Sequence, residues 1–519
     1  MKTILLGADV FADHRGTVYS YYPDEKLVEY NLMVTRKGDE RGYHYHPEFI
    51  EYMMVVDGEC MYTEWNEHHK EKIHLKTGMS IKIPIGTAHT FTALTDFKFV
   101  SMLTKRWHDS DPPIIKIKNR NNMASVTETT ICRSCKSQLN KIIFDVGNLK
   151  INAFTTHPNT DIGSAPLKLL QCEQCDLIQL SHTVREEDLY TNYWYLSRLN
   201  KKIVDNLESI ADTLTKECNL QKNDIVVDIG ANDGTLLSFY PNIVTKVGID
   251  PAQNIHNDLE KKCDVMIGDF FTLENYNSKI KHKAKAISTI AMFYDLDDPN
   301  KFVNDIKNIL HKDGIWLCQL MTAKPMIEAN DLGNIIHEHL EYYTYKSLKS
   351  LMERHKLEIY RVLENDINGG SYQLFIRHFQ SGSIDFQENI TENDITEWAN
   401  NIHKNRTDTM QFIRNEVSNG KKIYIMGAST KGNTIMQYYG LDSDTIKGAA
   451  EIHPDKIGKY LVGSSIPIVH ENDAKKDADY FIVFPFHFKE LFVNKIMKDW
   501  IDNGGKLIFC TPKFECITK

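Results

Sequence analysis

The segment IVVDIGANDGTLL, residues 225–237, constrains the fold more strongly than any other part of the chain. An apolar strand-forming run leads directly into a loop that contains glycines, and a helix-forming run follows. Gly230 and Gly234 allow the backbone to approach a ligand closely, and the start of the next helix presents N–H groups without intrahelical partners. Further apolar runs follow at intervals that suit βαβ units: VGID, VMIG, AISTIA and IWLCQLM. These features predict an α/β domain that binds a ligand at this loop.

The residues around the loop indicate the kind of ligand. A dinucleotide loop has the form G-x-G-x-x-G, whereas this loop is G-A-N-D-G, and the side chains of Asp228 and Asp233 would repel a pyrophosphate. S-adenosylmethionine carries a sulfonium cation and an amino-acid head, which an acidic loop tolerates. Asp250 ends the next predicted strand, where a carboxylate can accept hydrogen bonds from both hydroxyls of a ribose. A structural βα turn without a ligand is the alternative.

The loop resembles the first motif of class I methyltransferases, and the sequence GDF at 268–270 resembles the loop that holds adenine in that family. The resemblance implies a Rossmann-like core with S-adenosylmethionine as cofactor. It implies the following cofactor-binding residues: Asp228, Gly230, Asn232, Gly234, Asp250, Asp269 and Phe270.

The first part of the chain, up to about residue 110, contains short β-branched or alternating runs such as LVEYNLMVT, IEYMMVVDG and SIKIPIG. Helical periodicity is largely absent, which predicts a small all-β barrel or sandwich. The spacing of its glycines and of His44, His46, Glu51 and His89 resembles that of cupins. Strand alternation places His44 and His46 on the same face. Three imidazoles and a carboxylate can bind a divalent metal, so these four residues are the expected ligands of a cupin metal.

The sequences DHRG at 13–16 and GDERGYHYHPE at 38–48 also resemble cupin ketoisomerases and epimerases that act on nucleotide-linked deoxysugars. That resemblance implies catalysis without a metal, in which His44 or His46 transfers a proton beside a 4-keto group and Arg41 holds the diphosphate. Three functions stay open for the barrel: a sugar isomerase or epimerase, a metal-binding cupin of another function, and a non-catalytic sugar-binding module.

Four of the ten cysteines form two C-x-x-C pairs, Cys132 with Cys135 and Cys172 with Cys175. Four thiolates form a closed tetrahedral zinc site, which leaves no open position for catalysis. The segment between the pairs shows little periodic structure, so we expect a zinc-binding module with few regular elements. A redox pair and a coincidence of spacing are the alternatives.

The order of motifs along residues 130–515 resembles one family more closely than any single motif does. The succession is ICRSC, PLKLLQCEQCDLIQL, LYTNYWYLS, the glycine loop, IIHEHLEYYT, NGGS and MGASTKGNT. It is similar to that of the zinc-containing C-methyltransferases that act on nucleotide-linked 4-keto-6-deoxy sugars. The resemblance implies that a zinc module and a C-terminal α/β domain flank the cofactor-binding core and complete the sugar-nucleotide site.

Carbon methylation of a keto sugar requires a base with a pKa near neutrality that removes the proton next to the ketone, and a donor for the developing oxyanion. The run His337-Glu338-His339 offers both residue types. The resemblance implies that His339 is the base, that Glu338 orients it or binds the sugar, and that Tyr193 and Tyr195 lie near the substrate. A surface turn without a catalytic role is the alternative.

Two positions depart from the family pattern. The residue before H-E-H is usually tyrosine and is Ile336 here, and a histidine usual after the fourth strand is replaced by Asp295. Tyr342 or Tyr343 is a candidate replacement for the missing phenol. Because of these departures, the carbon that is methylated and the acceptor itself can differ from those of the family.

A chain of 519 residues is too long to fold around a single hydrophobic core, so we expect a multidomain protein. The predicted parts are a cupin barrel (1–115), a zinc-binding module (128–182), a class I α/β methyltransferase core (183–385), and a helical connector with a smaller α/β domain (386–519). In this last domain the sequence at 427–432, G-A-S-T-K-G, has the form of a phosphate-binding loop, and the resemblance implies that Lys431 contacts the nucleotide sugar.

Charge and hydropathy exclude several classes of function. A net charge of −9 and a pI near 6.2 argue against a nucleic-acid partner, because there is no basic excess to neutralise phosphates. No apolar run approaches the roughly 18 residues that a bilayer span needs. Asp9 and Asp13 interrupt the N-terminal segment too early for a signal peptide, so we expect a cytoplasmic protein. A homodimer is the default expectation for a chain with a cupin.

These features together predict a bifunctional enzyme that tailors a deoxysugar. The cupin would isomerise or epimerise a nucleotide-linked 4-keto-6-deoxy sugar, and the methyltransferase would add a methyl group at carbon through an enolate. One alternative is an O- or N-methyltransferase of a small molecule, whose cupin binds a metal or a ligand. A non-enzymatic scaffold is another alternative, and it predicts that no cofactor binds despite Asp250 and the glycine loop.

Overall fold

The computed structural model describes residues 3–14, 16–65, 70–110, 112–116, 126–151, 154–158, 163–184, 189 and 196–519. The chain divides into two compact units, residues 1–123 and 124–519. The predicted substrate-binding residues Tyr193 and Tyr195 lie outside the described residues. Across the described residues, no helix combines the length and the apolar character needed to cross a membrane.

The first unit is a β-barrel of two antiparallel five-stranded sheets, which confirms the predicted cupin fold. Alternate residues of its strands point inward, so side chains such as Met53, Tyr62 and Phe99 form the buried core. The first sheet has the order Ile4–Leu6, Ser80–Ile83, Glu51–Asp57, Phe97–Leu103, Glu29–Thr35, and the second has the order Ile115–Lys116, Glu40–Tyr45, Ala88–Ala93, Glu59–Trp65, Lys70–Lys76. A hairpin, Asp9–Asp13 and Gly16–Ser20, and a short 3₁₀ helix, Trp107–Asp109, complete the unit.

The second unit begins with the module that contains the two C-x-x-C pairs. Its strands are Val126–Glu128, Lys141–Lys150, Phe154–Thr155, Ser164–Gln171, Ile178–Leu180 and His182–Val184. The expectation of little regular structure between the pairs was wrong, because two long antiparallel strands lie there. Register shifts at 142–144 and 145–147 interrupt the strand alternation of Lys141–Lys150, which explains why the sequence pattern does not show it.

The core is a seven-stranded sheet whose order matches the predicted class I methyltransferase fold. The order is Val265–Ile267, Thr245–Ile249, Ile225–Ile229, Ala284–Ile290, Leu310–Met321, Ser371–His378, Leu357–Asn365. Only Ser371–His378 runs antiparallel to its neighbours. Ile225–Ile229 is buried at all five positions because helices cover both faces of a parallel sheet.

The helices of the core connect these strands. The α-helices are Lys201–Glu217, Thr235–Ser238, His256–Leu259, Leu273–Lys279, Pro299–Ile309, Ala323–Glu328 and Tyr345–Arg354, and the 3₁₀ helices are Ser197–Leu199, Gln253–Ile255, Glu260–Lys262, Phe293–Asp295 and Ile367–Gly369. Local sequence fixes several of their starts. Asp298 accepts a hydrogen bond from the backbone of Lys301 and Pro299 occupies the first turn, a combination that favours helix initiation.

The predicted connector is one long helix, Glu392–Ser418, which begins at a capping box formed by Thr391 and Asp394. A six-stranded sheet follows in the order Ile468–His470, Gly448–Glu451, Ile423–Met426, Tyr480–Val483, Lys506–Phe509, Glu515–Ile517, and Tyr460–Leu461 pairs separately with Phe154–Thr155. Its α-helices are Thr430–Tyr439, Glu471–Asp477, Lys489–Leu491 and Lys498–Asp502, with a 3₁₀ turn at Phe486–Phe488 and a π turn at Phe492–Ile496. This is the predicted smaller α/β domain.

Candidate active site

The glycine loop lies at the carboxyl end of the central strand Ile225–Ile229, the edge at which parallel α/β sheets bind ligands. Gly230 and Gly234 both have φ of 73°, and Asn232 has φ of 50°. A Cβ atom on Gly230 would lie 3.0 Å from the side chain of Met292, and one on Gly234 would lie 3.0 Å from Lys262. Both glycines therefore meet a conformational and a steric requirement, and the loop stays open at its backbone.

Asp250 is fixed beside this loop. Its two carboxylate oxygens accept hydrogen bonds from the backbone N–H groups of Asn232 (2.8 Å) and Ala252 (2.9 Å), and each oxygen keeps a lone pair for a ligand hydroxyl. Burial raises the pKa of Asp250, whereas these two hydrogen bonds lower it. The carboxylate can therefore accept further hydrogen bonds, such as those that the two hydroxyls of a ribose donate.

Asp228 and Asp233 do not form the acidic surface that the sequence suggested. Asp228 is buried and accepts a hydrogen bond from Ser288 (2.6 Å), and burial raises its pKa to about 7. Asp233 is fully buried and pairs with Arg198 at 3.0 Å. The argument that these carboxylates repel a pyrophosphate was therefore wrong, because one lies inside the sheet and the other is neutralised by a guanidinium.

The predicted adenine loop follows strand Val265–Ile267. Asp269 is exposed and accepts hydrogen bonds from its neighbour's backbone at Phe270 (2.7 Å) and from Asn275 (3.3 Å). Phe270 is half-buried. Both residues follow strand Val265–Ile267, which lies next to the strand Thr245–Ile249 that precedes Asp250, so they lie at the same edge of the sheet as Asp250.

The four predicted zinc ligands converge. Sγ of Cys135 lies 3.4 Å from Sγ of Cys172, Sγ of Cys132 lies 3.6 Å from Sγ of Cys175, and all four sulfur atoms lie within 4.8 Å of one another. Tetrahedral zinc with Zn–S bonds of about 2.3 Å requires S···S separations of roughly 3.8 Å. A redox motif uses one C-x-x-C pair, whereas here the sulfur contacts join the two pairs, so the arrangement fits zinc.

The zinc module is joined to the core through the residues between its cysteines. The Nε of Arg133 donates a hydrogen bond to Asp297 of the core at 3.4 Å and lies 3.9 Å from Glu341, while the rest of its guanidinium donates to Leu180 and Thr183 within the module. The side chain of Arg354 donates to the carbonyl of Ser134 at 2.8 Å. Metal binding at the cysteines therefore fixes backbone that the core also contacts.

His339 lines a small cavity near the carboxyl edge of the core sheet. The cavity is lined by Tyr294, Met321, Thr322, Met326, Asn334, His339, Glu341 and Tyr342. Nδ1 of His339 donates a hydrogen bond to the carbonyl oxygen of Asn334 at 2.8 Å, since a carbonyl can only accept. Nε2 is therefore the nitrogen that keeps a lone pair. Burial and the charge of Lys431 lower the pKa of His339 to about 3, so the ring is neutral at pH 7. The expectation that the base has a pKa near neutrality was wrong, because the ring is desolvated and lies near a cation.

The other two residues of H-E-H have different surroundings. Nε2 of His337 bonds to the carbonyl of Ala165 in the zinc module at 3.0 Å, and burial lowers the pKa of His337 to about 4. Burial raises the pKa of Glu338 to about 7. The hydrogen-bond partner of His339 is Asn334 and not Glu338, so the expected orienting role of Glu338 is replaced by a backbone carbonyl.

Lys431 reaches this cavity from the C-terminal domain. Its Nζ donates hydrogen bonds to Oδ1 of Asn334 at 2.6 Å and to Sδ of Met321 at 3.3 Å, and both partners line the cavity. In the loop before it, the carboxylate of Glu451 accepts the backbone N–H of Ala428 at 3.2 Å, so this donor is already engaged. Phosphate binding by the loop stays a prediction, and Lys431 contacts the region of His339.

In the barrel, His44, His46 and His89 converge, with ligand nitrogens within 4.8 Å of one another. Each Nδ1 donates to a backbone carbonyl, of Gly42, Pro113 and Thr87 respectively, at distances of 3.1, 3.3 and 2.9 Å. All three Nε2 atoms are thereby left as the metal-binding or proton-accepting nitrogens.

Two further residues of the barrel were predicted to act with these histidines. One carboxylate oxygen of Glu51 lies 3.0 Å from Nε2 of His46 and 3.5 Å from Nε2 of His89. Arg41 is exposed, and its described hydrogen bonds go to Thr35 (2.9 Å) and to the carbonyl of Val34 (3.3 Å). The structure therefore joins Glu51 to the histidines and gives Arg41 other partners.

Comparison with known proteins identifies the parts of this chain. Family models match a cupin domain at 31–103, a zinc binding domain at 132–190, a methyltransferase domain at 195–362 and a C-methyltransferase C-terminal domain at 366–512. The chain is an S-adenosylmethionine-dependent methyltransferase with an N-terminal cupin domain. The C-methyltransferase NovU of Streptomyces niveus is 26% identical over 368 residues, which cover 67% of this methyltransferase and 86% of NovU.

Solved structures overlap only a part of the chain. A 3,4-ketoisomerase from Helicobacter canadensis is 17% identical and covers 22% of this chain and 91% of its own, with a TM-score of 0.21. A dTDP-4-dehydrorhamnose 3,5-epimerase from Sulfolobus tokodaii is 24% identical and covers 22% and 77%, also with a TM-score of 0.21. At these scores the overlaps carry no conclusion about the activity of the cupin.

Of the eight residues that line the cavity, sequence reasoning named His339 and Tyr342 and missed the other six, of which Tyr294 and Asn334 contact His339 directly. The ring of Tyr294 packs against His339 with centroids 4.5 Å apart, and the carbonyl of Asn334 accepts hydrogen bonds from both His339 and Tyr342. Tyr294 stands directly before Asp295, where a departure from the family was noted, and that neighbourhood was the available signal. Nothing in the sequence singles out Asn334, because its backbone carbonyl and its side-chain oxygen acquire their partners His339 and Lys431 only through tertiary packing.

Proposed function

We propose that the methyltransferase adds a methyl group to a carbon next to the keto group of a nucleotide-linked 4-keto-6-deoxy sugar. The observation that carries this proposal is a neutral imidazole, His339, that lines a cavity with Nδ1–H fixed on Asn334 and Nε2 unprotonated. Such a group serves as a base for a carbon acid. The C-methyltransferase relative and the C-methyltransferase C-terminal domain support the same reaction class.

The glycine loop and Asp250 are proposed to hold S-adenosylmethionine, which supplies an electrophilic methyl group when bound. Asp250 would accept hydrogen bonds from the ribose, and Asp269 and Phe270 would contact the adenine. Gly230 and Gly234 keep the backbone accessible at the loop. Asp228 and Asn232 would maintain the shape of the loop, through Ser288 and Ser197 respectively.

His339 is proposed to take the proton from the carbon next to the ketone. Its neutral state at pH 7 satisfies the first requirement of a base. Tyr342, whose hydroxyl donates to Asn334 at 3.1 Å, lines the same cavity and is the proposed replacement for the phenol that the family has before H-E-H. Tyr193 and Tyr195 stay proposed substrate-binding residues.

The direct test uses the full-length protein in D₂O with S-adenosylmethionine and a panel of 4-keto-6-deoxy sugar nucleotides, read by product mass. We expect a gain of one methyl group with at least one sugar, and we expect His339→Gln to abolish it while His311→Gln does not. If S-adenosylmethionine binds but no sugar gains a methyl group, the sugar assignment is wrong. Methylation of an acceptor that has no proton next to a carbonyl would favour an O- or N-methyltransferase.

For the cupin, one observation favours metal binding over the isomerase activity that the sequence suggested. Three imidazoles donate Nδ1–H to backbone carbonyls and direct Nε2 to a common region beside Glu51, as metal-binding histidines do. We infer that His44, His46, His89 and Glu51 bind a divalent metal. Isomerisation by His44 or His46 is the competing proposal.

Metal analysis of the purified protein separates these two proposals. A metal that is lost from His46→Ala but retained in Arg41→Ala would support binding by the histidines. Deuterium uptake by the keto sugar that survives His339→Gln but not His44→Ala, in protein without metal at the barrel, would instead support isomerisation.

A further inference from the structure

We infer that the ammonium group of Lys431 stabilises the negative charge that develops on the keto oxygen when His339 removes the neighbouring proton. This inference rests on the proposed function, and it assigns the oxyanion partner that carbon methylation requires. Lys431 is then a catalytic residue supplied by the C-terminal domain, the second residue of helix Thr430–Tyr439.

The first argument is the lack of a close counter-charge. Among the residues that the structure describes, no carboxylate lies within 4.0 Å of Nζ of Lys431, whereas the half-buried Lys324, Lys456 and Lys475 each have one. The nearby carboxylate of Asp331 accepts the backbone N–H of Gly333 at 2.7 Å. Burying an ammonium group without a paired carboxylate costs free energy. A site that holds such an ammonium group is therefore suited to stabilise an anion that forms beside it.

The second argument is the unfilled donor capacity of Nζ. An ammonium has three N–H groups, and the described partners of Lys431 are the amide oxygen of Asn334 and the thioether of Met321. A thioether is a weak acceptor, and both partners line the cavity of His339. Nζ therefore stands at the cavity wall with hydrogen-bonding capacity for a ligand oxygen.

The third argument concerns the relation between Lys431 and the proposed base. The carbonyl of Asn334 positions Nδ1 of His339 while the side chain of the same residue binds Lys431, so a single residue sets the distance between base and cation. Burial lowers the pKa of His339, and the nearby charge of Lys431 lowers it further. In the preceding loop Glu451 already engages the backbone N–H of Ala428, which leaves one donor fewer for a phosphate.

The step balances without another reactant. The C–H bond next to the ketone breaks, its proton passes to Nε2 of His339, and its electron pair forms the enolate, whose negative charge lies on the oxygen beside Nζ. A preorganised donor at such an oxygen accelerates proton removal more than it strengthens binding of the neutral ketone.

The test measures proton exchange separately from methyl transfer. Full-length protein, with His44→Ala in every sample so that the cupin cannot contribute exchange, is incubated in D₂O, without S-adenosylmethionine, with a dTDP-linked 4-keto-6-deoxyhexose. Exchange next to the ketone is followed by NMR while the Kd is measured by calorimetry. For Lys431→Gln we expect exchange to fall by about 100-fold or more with Kd changed by less than about threefold. Lys475→Gln, which removes a half-buried ammonium paired with Glu471, is the matched control and should retain exchange.

A second variant guards against a folding defect. In Lys431→Ala, added ethylammonium should restore part of the exchange, and binding of S-adenosylmethionine should equal that of the His44→Ala parent. Exchange within threefold of this parent in Lys431→Gln, or a loss matched by weaker binding, would overturn the inference alone. If the parent exchanges no proton with any 4-keto sugar, the proposed function fails first and the inference fails with it.

Discussion

Gln179 of the zinc module lies directly opposite Glu341 in an antiparallel strand pair, so the segment that carries His339 is anchored on the module of the four cysteines. The side chain of Gln179 is fully buried and accepts the backbone N–H of Arg133 at 2.8 Å, and it donates to the carbonyl of Ile131 at 3.2 Å. One glutamine therefore connects the first C-x-x-C turn with the strand that follows H-E-H.

We expect Gln179→Leu to lower the free energy of unfolding by about 1–3 kcal/mol, because the buried backbone N–H of Arg133 and the carbonyl of Ile131 lose their partner. Urea denaturation of the full-length protein measures this change. Gln221→Leu, at an exposed glutamine of the core, is the control and should change stability by less than about 0.5 kcal/mol. Equal effects of the two variants would contradict the proposed connection.

The pH dependence of methyl transfer distinguishes His339 from Glu338 as the base. A base must be deprotonated, so activity is gained as pH rises through its pKa. Because the pKa of His339 is lowered to about 3, we expect kcat/KM to be independent of this group between about pH 5 and pH 8. A rise centred near pH 7 would instead assign the base to Glu338, whose pKa burial raises to about 7.

Asp250→Asn should weaken the binding of S-adenosylmethionine by about 10- to 100-fold. The amide removes the charge and can no longer accept from both Asn232 and Ala252, and charge-assisted hydrogen bonds contribute about 1.5–3 kcal/mol. Calorimetric titration measures the Kd. Asp264→Asn makes the same chemical change before the next strand, where Asp264 accepts only from the backbone of Lys246, and should leave the Kd unchanged.

Cys172→Ser should remove zinc from the second unit. We expect the content to fall from about one zinc per chain to near zero, because four thiolates share one ion. The measurement is best made in a His46→Ala background, so that the barrel does not contribute metal. Cys263→Ser, at a half-buried thiol outside the cluster, should retain zinc. Zinc that persists in Cys172→Ser would contradict the four-cysteine site.

The sequence alone predicted the parts of this protein whose signals are local. The loop from Gly230 to Gly234 lies within one strand-loop-helix unit, and each C-x-x-C pair forms a turn on its own. These features specify their geometry within a few residues, because positive φ angles and turn hydrogen bonds depend on adjacent backbone. The same holds for His44 and His46, whose two-residue spacing places them on one face, whereas His89 comes from the separate strand Ala88–Ala93.

Only the tertiary structure decided how the cavity is assembled. Asn334, Tyr294 and Lys431 come from three segments, and the sequence pattern gives no sign that they meet. The burial of Asp228 and the pairing of Asp233 with Arg198 also depend on neighbouring segments, which is why the charge of the glycine loop was misjudged. Packing between distant segments sets the pKa of each group through burial and nearby charge, and neither quantity can be read from the order of residues.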